Sequence, residues 1–427
     1  METIDAYFAR KQQELKLLNG CLRRPHALPV PRTVGEVVRQ KFQLTAALKA
    51  EHALNDWTAT ETAWADADNH RAGPFAFAYD YQRADLDVRG PSFYAVGEEI
   101  SDTLYTISGM AAIAALLLAV RPVLGEAELT MLPGSYGETQ ELIAAHARHL
   151  HPVTPSRDLA DALARRSSQP RLLLLDSSAT AARFEAVLRC ARPAIDLVIF
   201  DTTCFASGSG RIRRVLAWAR RSGVPVVMLR SHTKLDSLGA EYGRLGSVAF
   251  MDWTATRTAR RVALAALPEE TRNAVRLLGG AALPAHFPPY VGAPGYRELT
   301  ARRIAAILRN SRRARRRFAT TLRGLTAELD FAHGLYVTLA SRTPLDEATA
   351  RQAAAAMSDD LRRAGLPIRH AGSFGFDFAA TEWFHDATTD RYSVRVAVPD
   401  LPTAMWDELA DAIAGWWCAH QGRSAAA

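Results

Sequence analysis

Three short runs of the chain are apolar at every interior position and end on a polar residue: Arg171-Leu-Leu-Leu-Leu-Asp176, Asp196-Leu-Val-Ile-Phe-Asp201 and Val224-Pro-Val-Val-Met-Leu-Arg230. A strand with one wet face alternates apolar and polar residues, so runs without alternation belong to strands covered on both faces. Helical patterns such as Arg211 to Arg221 lie between them. This succession predicts a mostly parallel sheet in an α/β domain, an architecture in which ligands sit at the carboxyl ends of the strands. Asp201 and the segment from Ser231 to Lys234 fall at two of those ends.

At 427 residues the chain exceeds what one hydrophobic core organises. Residues 1–65 read as an N-terminal helical arm, with apolar positions recurring at Leu15, Leu17 and Leu18 and again at Val37, Val38, Phe42, Leu44 and Leu48. Residues 66–300 form the expected large domain, which closes on the Pro/Gly-rich stretch Ala281 to Gly295. Residues 301–427 are expected to be a linking helix and a small α+β C-terminal domain. Its elements are a strand near Gly334 to Leu339, a helix through about Ala364, a strand at Tyr392 to Val398 and a last helix over about 402–420.

The longest apolar run, Ala111 to Val120, is too short to cross a bilayer, and the first sixteen residues contain no apolar signal region. A cytoplasmic protein without a membrane partner is expected. Cys21, Cys190, Cys204 and Cys418 have neither the spacing of a zinc site nor that of a disulfide framework, so no metal is expected. The net charge of +7 is carried by arginine, much of it between Arg302 and Arg323 on one long helix. A nucleic-acid face is one reading of that helix. A solvated face is the reading we adopt, because Phe318 is the single aromatic residue among those arginines.

Lysine is used sparingly. Lys11, Lys16, Lys41 and Lys49 lie near the N-terminus, and Lys234 is the only lysine in the remaining chain. Where arginine otherwise supplies the cations, a solitary lysine suggests chemistry that needs an amine able to lose its proton. Chance survival of one lysine is the alternative.

Four segments, in chain order, carry groups that suit one site. Ser108-Gly109-Met110 opens an apolar helix, and free N–H groups at a helix start suit a phosphate, although a Ser-capped helix gives the same pattern. Tyr136, in Gly134-Ser-Tyr-Gly-Glu-Thr139, follows a strand and can stack on a planar group or simply pack a turn. Asp201-Thr-Thr203 ends a strand; a buried carboxylate there needs a cationic partner, or else it caps the next turn. Ser231-His-Thr-Lys234 offers two hydroxyls and an amine that can condense with an aldehyde.

Together these segments resemble the cystathionine γ-synthase, cystathionine γ-lyase and methionine γ-lyase family of pyridoxal 5′-phosphate (PLP) enzymes. That family has Ser-Gly-Met-Ala-Ala-Ile before a large-domain helix, Tyr-Gly-x-Thr, Asp-x-Thr and Ser-x-Thr-Lys, and all four patterns occur in this order between Ser108 and Lys234. The resemblance covers roughly residues 75 to 400. It implies an aminotransferase-like PLP fold type I: a mostly parallel, seven-stranded-type sheet in a large domain with a smaller α+β domain. It further implies a Schiff base on Lys234, Asp201 against the pyridine nitrogen, Tyr136 stacked on the ring, and Ser108, Gly109, Met110, Thr203, Ser231 and Thr233 as further cofactor contacts. Tyr81-Gln-Arg83 resembles the family's Tyr-x-Arg, which reaches a neighbouring subunit's cofactor phosphate, so the resemblance implies a homodimer or homotetramer with a shared site. Ser373-Phe-Gly375 and Val394-Arg-Val-Ala397 resemble the segments that hold the substrate's α-carboxylate, with Arg395 as the bidentate clamp and Ser373 beside it. A coincidental Tyr/Arg loop and a surface strand cation are the alternatives for these two.

The implied activity is γ-elimination or γ-replacement on an L-amino acid through quinonoid and vinylglycine-type intermediates, in a specialised pathway. Lys234, Tyr136 and Asp201 are its catalytic residues. An aminotransferase or β-lyase of the same fold is the alternative, and a non-catalytic PLP-binding protein a further one. The chain also departs from the family. Thr202 stands where the family has Asn, Glu138 replaces a small residue, Gly239-Ala-Glu-Tyr replaces Gly-His-x-Asp after the lysine, and the interval from Asp201 to Lys234 is longer. These changes bear on the substrate more than on the cofactor.

Overall fold

The computed structural model describes residues 2–53, 71–78, 87–95, 100–155, 158–251, 259–321, 327–328, 334–339, 341, 343–386 and 390–424. Two helices open the chain, α1 (Ile4–Asn19) and α2 (Val34–Ala53). A three-stranded antiparallel sheet follows, of β1 (Arg71–Ala72), β2 (Phe75–Ala78) and β3 (Asp87–Arg89). Strand and helix then alternate: β4 (Asp102–Thr106), α3 (Gly109–Leu124), β5 (Ala127–Met131), α4 (Gly137–His146), β6 (Leu150–Val153), α5 (Leu159–Ala164), β7 (Arg171–Asp176), α6 (Ala181–Arg189), β8 (Leu197–Asp201), α7 (Gly210–Ser222) and β9 (Val226–Ser231). After β10 (Gly246–Met251) come three helices, α8 (Ala259–Leu264), α9 (Leu267–Leu277) and the long α10 (Tyr296–Thr321). The remainder is β11 (Ala327–Glu328), β12 (Tyr336–Leu339), α11 (Glu347–Arg363), β13 (Ile368–His370), β14 (Ala379–Asp386), β15 (Arg391–Ala397) and α12 (Thr403–Ser424).

By packing, the chain divides into two units. One comprises Lys49–Asp236 and Tyr242–Gly292, and the other Met1–Leu48, Ser237–Glu241 and Ala293–Ala427. The first is built on a seven-stranded sheet in the order β4-β10-β9-β8-β7-β5-β6. Only β10 runs against its neighbours; the other six strands point one way. Burial on both faces explains the unbroken apolar runs: Leu172 and Leu174 of β7 join one core with Ile113 and Leu116 of α3, whereas Leu173 and Leu175 join another with Phe184 of α6 and Val215 of α7. Each buried leucine contributes roughly 1.5–3 kcal/mol. Helix α3 is apolar all round because it is buried; Ser108 Oγ caps it by accepting from the Ala111 N–H (3.0 Å), and Gly125, at φ +71°, ends it.

The other unit carries a five-stranded sheet in the order β11-β12-β15-β14-β13, antiparallel except for the β13–β14 pair. Strand β14 was not expected, because Ala-Ala-Thr-Glu-Trp-Phe-His-Asp has no clean two-residue period. Over residues 1–48, α1 and the part of α2 up to Leu48 pack in this unit, where a buried ionic cluster holds them. Lys11 Nζ meets Asp377 (2.5 Å) and Asp400 (2.6 Å), Lys41 Nζ meets Glu14 (2.5 Å) and Asp377 (2.8 Å), and Arg303 of α10 meets Asp377 (2.6 Å). Arg10 adds a 2.6 Å pair with Asp400, and none of these seven side chains is more than 3% exposed. The polarity that reads as a solvated helix is here neutralised inside. The Arg-rich helix is likewise in part an ion-paired seam, with Arg313 bonded to Asp407 (2.6 Å) and Arg317 to Asp411 of α12. Among the described residues no helix is long and apolar enough to cross a membrane.

Breaking a buried pair leaves an uncompensated charge and costs about 3–5 kcal/mol, whereas an exposed pair is worth less than about 1 kcal/mol. Glu14→Gln, which strips a carboxylate from Lys11 and Lys41, should therefore lower the urea midpoint strongly. Glu298→Gln, which breaks the exposed Arg302 pair, should leave it nearly unchanged. Equal effects from the two would contradict this account of the cluster.

Candidate active site

The polar ends of the parallel strands lie side by side. Asp176 ends β7 and Asp201 ends β8, and the register pairs these two residues directly, with Asp201 next to Leu229 of β9 on its other side. From this edge a continuous series of contacts runs in both directions. Asp176 Oδ2 accepts from the Tyr136 N–H (2.7 Å), just before α4, and Asp176 Oδ1 accepts from the Ser178 N–H (2.7 Å). Asp201 Oδ1 accepts from the Thr203 N–H (2.7 Å), and Thr203 Oγ1 accepts from the Ser231 N–H (3.0 Å). Ser231 and Thr233 hydroxyls lie 3.0 Å apart.

Ser231 in turn meets the start of α3. A Cβ on Gly109 would sit 2.8 Å from Ser231 Cβ, and one on Gly246 would sit 2.2 Å from the Ser108 carbonyl oxygen. Both glycines are needed for this approach, which sets the N-terminus of α3 beside the hydroxyl pair. Met110 packs partly into the core below. Lys234 lies in the turn that follows β9, half-buried, three residues beyond Ser231. The first unit thus brings together Ser108, Gly109, Tyr136, Asp201, Thr203, Ser231 and Thr233, with Met110 next along α3 and Lys234 next after Thr233 in the chain. Glu138 is exposed in the first turn of α4.

Two sequence-expected residues belong to the other unit. Arg395 of β15 donates from Nε to Glu382 (2.8 Å), and its guanidinium lies 4.3 Å from the centre of the Tyr336 ring and 4.5 Å from that of Phe384. Ser373 is buried before β14. Tyr81 and Arg83 lie outside the described residues.

Burial, reinforced by the neighbouring Asp176, pushes the Asp201 carboxyl up to about 7. Burial also raises Asp176, against its two backbone hydrogen bonds. Among the described residues no lysine, arginine or histidine makes an ion pair with Asp201. A buried acid in this state is stabilised by any cation brought to it. Asp176 itself was not anticipated as a site residue; the signal lay in the polar end of its apolar run, which repeats that of Asp201. Arg230, His232 and Asp236, which also bond around the Lys234 turn, were missed as well.

A doubly covered, mostly parallel seven-stranded sheet with a smaller sheet-and-helix unit defines the aminotransferase-like architecture of PLP fold type I, and this chain has it. It is similar in structure to cystathionine gamma synthase from Xanthomonas oryzae pv. oryzae in complex with cystathionine: TM-score 0.55 at 19% identity, over 87% of this chain and 99% of that one. MetB from Corynebacterium glutamicum aligns with a TM-score of 0.55 at 16% identity, over 95% and 97% of the two chains. Cystathione gamma lyase (CalE6) from Micromonospora echinospora aligns at 0.52 and 16%, over 82% and 91%. No protein-family model and no curated protein matches the sequence. At these identities the likeness is one of fold.

A carboxyl whose folded value is raised favours the folded state fully below its unfolded value, near 3.8, and that advantage is lost as pH rises through about 7. The ligand-free protein should therefore lose stability across this window, and Asp201→Asn should not share the loss. By pH 8 the variant should have gained on the parent by on the order of 4 kcal/mol relative to pH 4. Chemical denaturation from pH 4 to 8 measures it, and a difference that stays flat with pH would contradict a raised Asp201.

Proposed function

We propose that the chain is a pyridoxal 5′-phosphate enzyme that performs γ-elimination or γ-replacement on an L-amino acid, in a specialised pathway. The observation that carries this reading is the series of contacts linking Tyr136, Asp176, Asp201, Thr203, Ser231 and Gly109, with Lys234 on the same turn as Ser231. The donor set fits the cofactor. A primary amine suits its aldehyde, and the raised, buried Asp201 carboxyl suits a protonated pyridine nitrogen. Two adjacent hydroxyls and an open helix N-terminus suit its phosphate. The names of the structural neighbours, a cystathionine gamma synthase and a cystathione gamma lyase, support chemistry at Cγ.

The chemistry supplied by PLP when bound is an aldehyde for amine condensation and a ring that takes up electron density from Cα. Lys234 Nζ would hold the aldehyde carbon and, once freed by the substrate amine, would take the proton from Cα, pass it on to the cofactor and, neutral again, take one from Cβ. Asp201 would keep the ring nitrogen protonated. Ser231, Thr233 and the first N–H groups of α3 bind phosphate, and Thr203 couples their turn to Asp201. Tyr136, 36% exposed, would stack on the ring and could donate its phenol proton to the departing γ-substituent. Arg395 and Ser373 are the proposed partners of the α-carboxylate. Tyr81 and Arg83 are proposed to serve a neighbouring subunit, which makes the active form a homodimer or homotetramer.

Two measurements test this. Wild-type protein mixed with PLP should form a visible-absorbing adduct that borohydride fixes to Lys234. Lys234→Ala should form none and lose at least about 10²-fold in turnover; an adduct trapped in that variant would sink the assignment. In D₂O, with O-acylhomoserines or S-adenosylmethionine as substrates, deuterium should enter at both Cα and Cβ. Exchange at Cα alone, with pyridoxamine phosphate accumulating, would make the protein an aminotransferase instead.

A further inference from the structure

The turn that carries Lys234 is bracketed by three buried polar side chains which the proposed reaction leaves without a role. Asp236, two residues after the lysine, receives Arg230 as a fork: Nε to Oδ2 and Nη2 to Oδ1, both at 2.7 Å. His232, two residues before the lysine, places Nδ1 2.8 Å from the same Oδ2 and Nε2 2.9 Å from Ser247 Oγ of β10. Arg230 Nη1 also donates to the carbonyls of Thr202 (2.8 Å) and Phe205 (2.9 Å), in the turn that follows Asp201. All three side chains are at most 3% exposed.

The protonation states follow from the surroundings. Although burial works against it, the charge of Arg230 holds the Asp236 carboxyl well below the usual carboxylate range, so it is ionised and can only accept. Burial lowers His232, so the ring is neutral. Nδ1 must then carry the proton and donate to Asp236, which leaves Nε2 to accept from the Ser247 hydroxyl. Each polar atom of His232 is used, and the ring has one orientation.

We propose that Arg230, His232 and Asp236 are positioning residues for Lys234, setting its amine against Asp201. The inference rests on Lys234 being the reactive amine. A single guanidinium grips both the turn after Asp201 and, through Asp236, the turn around Lys234, and so fixes the spacing between amine and carboxylate. His232 ties the lysine's turn to β10 from the other side, with the Phe93 ring tilted by 33° against it at 3.9 Å between centroids. A buried ion pair and a neutral imidazole cost more to bury than apolar side chains of the same size, so burial alone does not account for them. Hydrogen bonds supply what apolar packing lacks, a defined distance and direction.

The test uses the full chain titrated with pyridoxal 5′-phosphate, and the readout is the rate at which the visible, borohydride-fixed adduct forms at Lys234. Pyridoxamine 5′-phosphate, which has no aldehyde, serves as a probe of binding alone. His232→Leu removes both hydrogen bonds and should slow the adduct on the order of tenfold, while pyridoxamine phosphate affinity changes less than about twofold. His232→Asn, which can keep a donor to Asp236, should recover most of the rate. Ser247→Ala, which loses one bond and no charge, should slow it about threefold and serves if His232→Leu does not fold. Adduct formation at the wild-type rate in both His232→Leu and Ser247→Ala would overturn the proposal. So would parallel loss of adduct and pyridoxamine phosphate binding, since that marks a merely structural role. A wild-type protein that forms no adduct at Lys234 would instead remove the functional reading beneath it.

Discussion

The parallel register of β7, β8 and β9 is the constraint from which the site follows. In a parallel pair the strand ends lie level, so a polar residue closing each apolar run is delivered to the same edge. Asp176 stands opposite Asp201 for this reason, and no loop has to be folded back to bring the two carboxyls together. The remaining groups are attached to that edge by short links, of which Thr203 is the central one: its N–H holds Asp201 and its hydroxyl holds Ser231. Two glycines complete the assembly by permitting a backbone approach that any Cβ would block.

Both units bury charge, to opposite effect. In the cluster of Arg10, Lys11, Glu14, Lys41, Arg303, Asp377 and Asp400, cations and carboxylates interleave. Against the penalty of burial, Lys11, Lys41 and Arg303 hold Glu14 below its ordinary range, and Arg303, Lys11 and Lys41 do the same for Asp377. That charge is spent internally. At the strand ends, by contrast, Asp201 and Asp176 are neighbours of like sign and burial raises both. One unit thus sets its buried carboxylates among cations, and the other sets two buried carboxyls side by side, a pattern that marks a candidate functional site.

Much of the architecture was legible because it rests on periodicity. Unbroken runs at Arg171 to Asp176 and at Asp196 to Asp201 marked doubly covered strands, and the Arg-rich stretch read as one long helix is α10. Strand β14 was not legible, since its apolar residues follow no period and its pairing with β13 and β15 depends on distant sequence. At the strand ends, Asp201, Ser231, Thr233 and Lys234 stood out in the sequence by residue type, and the structure links Asp201 to Ser231 through Thr203. Asp176 was passed over although its run ends as that of Asp201 does, because the sequence does not say which strands are neighbours; the register does. Arg230 and Asp236 are six residues apart and read as ordinary surface charges; only the turn that brings them together turns them into a bidentate pair.

The use of lysine also takes on a sharper meaning. In an arginine-rich chain two of the five lysines, Lys11 and Lys41, sit at the centre of the ionic cluster. Lys11 touches Glu14, Asp377 and Asp400 at once, and Lys41 touches Glu14, Asp377 and the Leu238 carbonyl. A compact ammonium with three donors pointing apart serves partners on several sides. Arg303 and Arg10 reach the same carboxylates beside it, whereas at Asp236 an arginine fork grips one carboxylate through two parallel bonds. In the ionic cluster the amine is used for its charge and its several donors; for Lys234 the property we propose is the ability to lose a proton and attack an aldehyde, which arginine lacks.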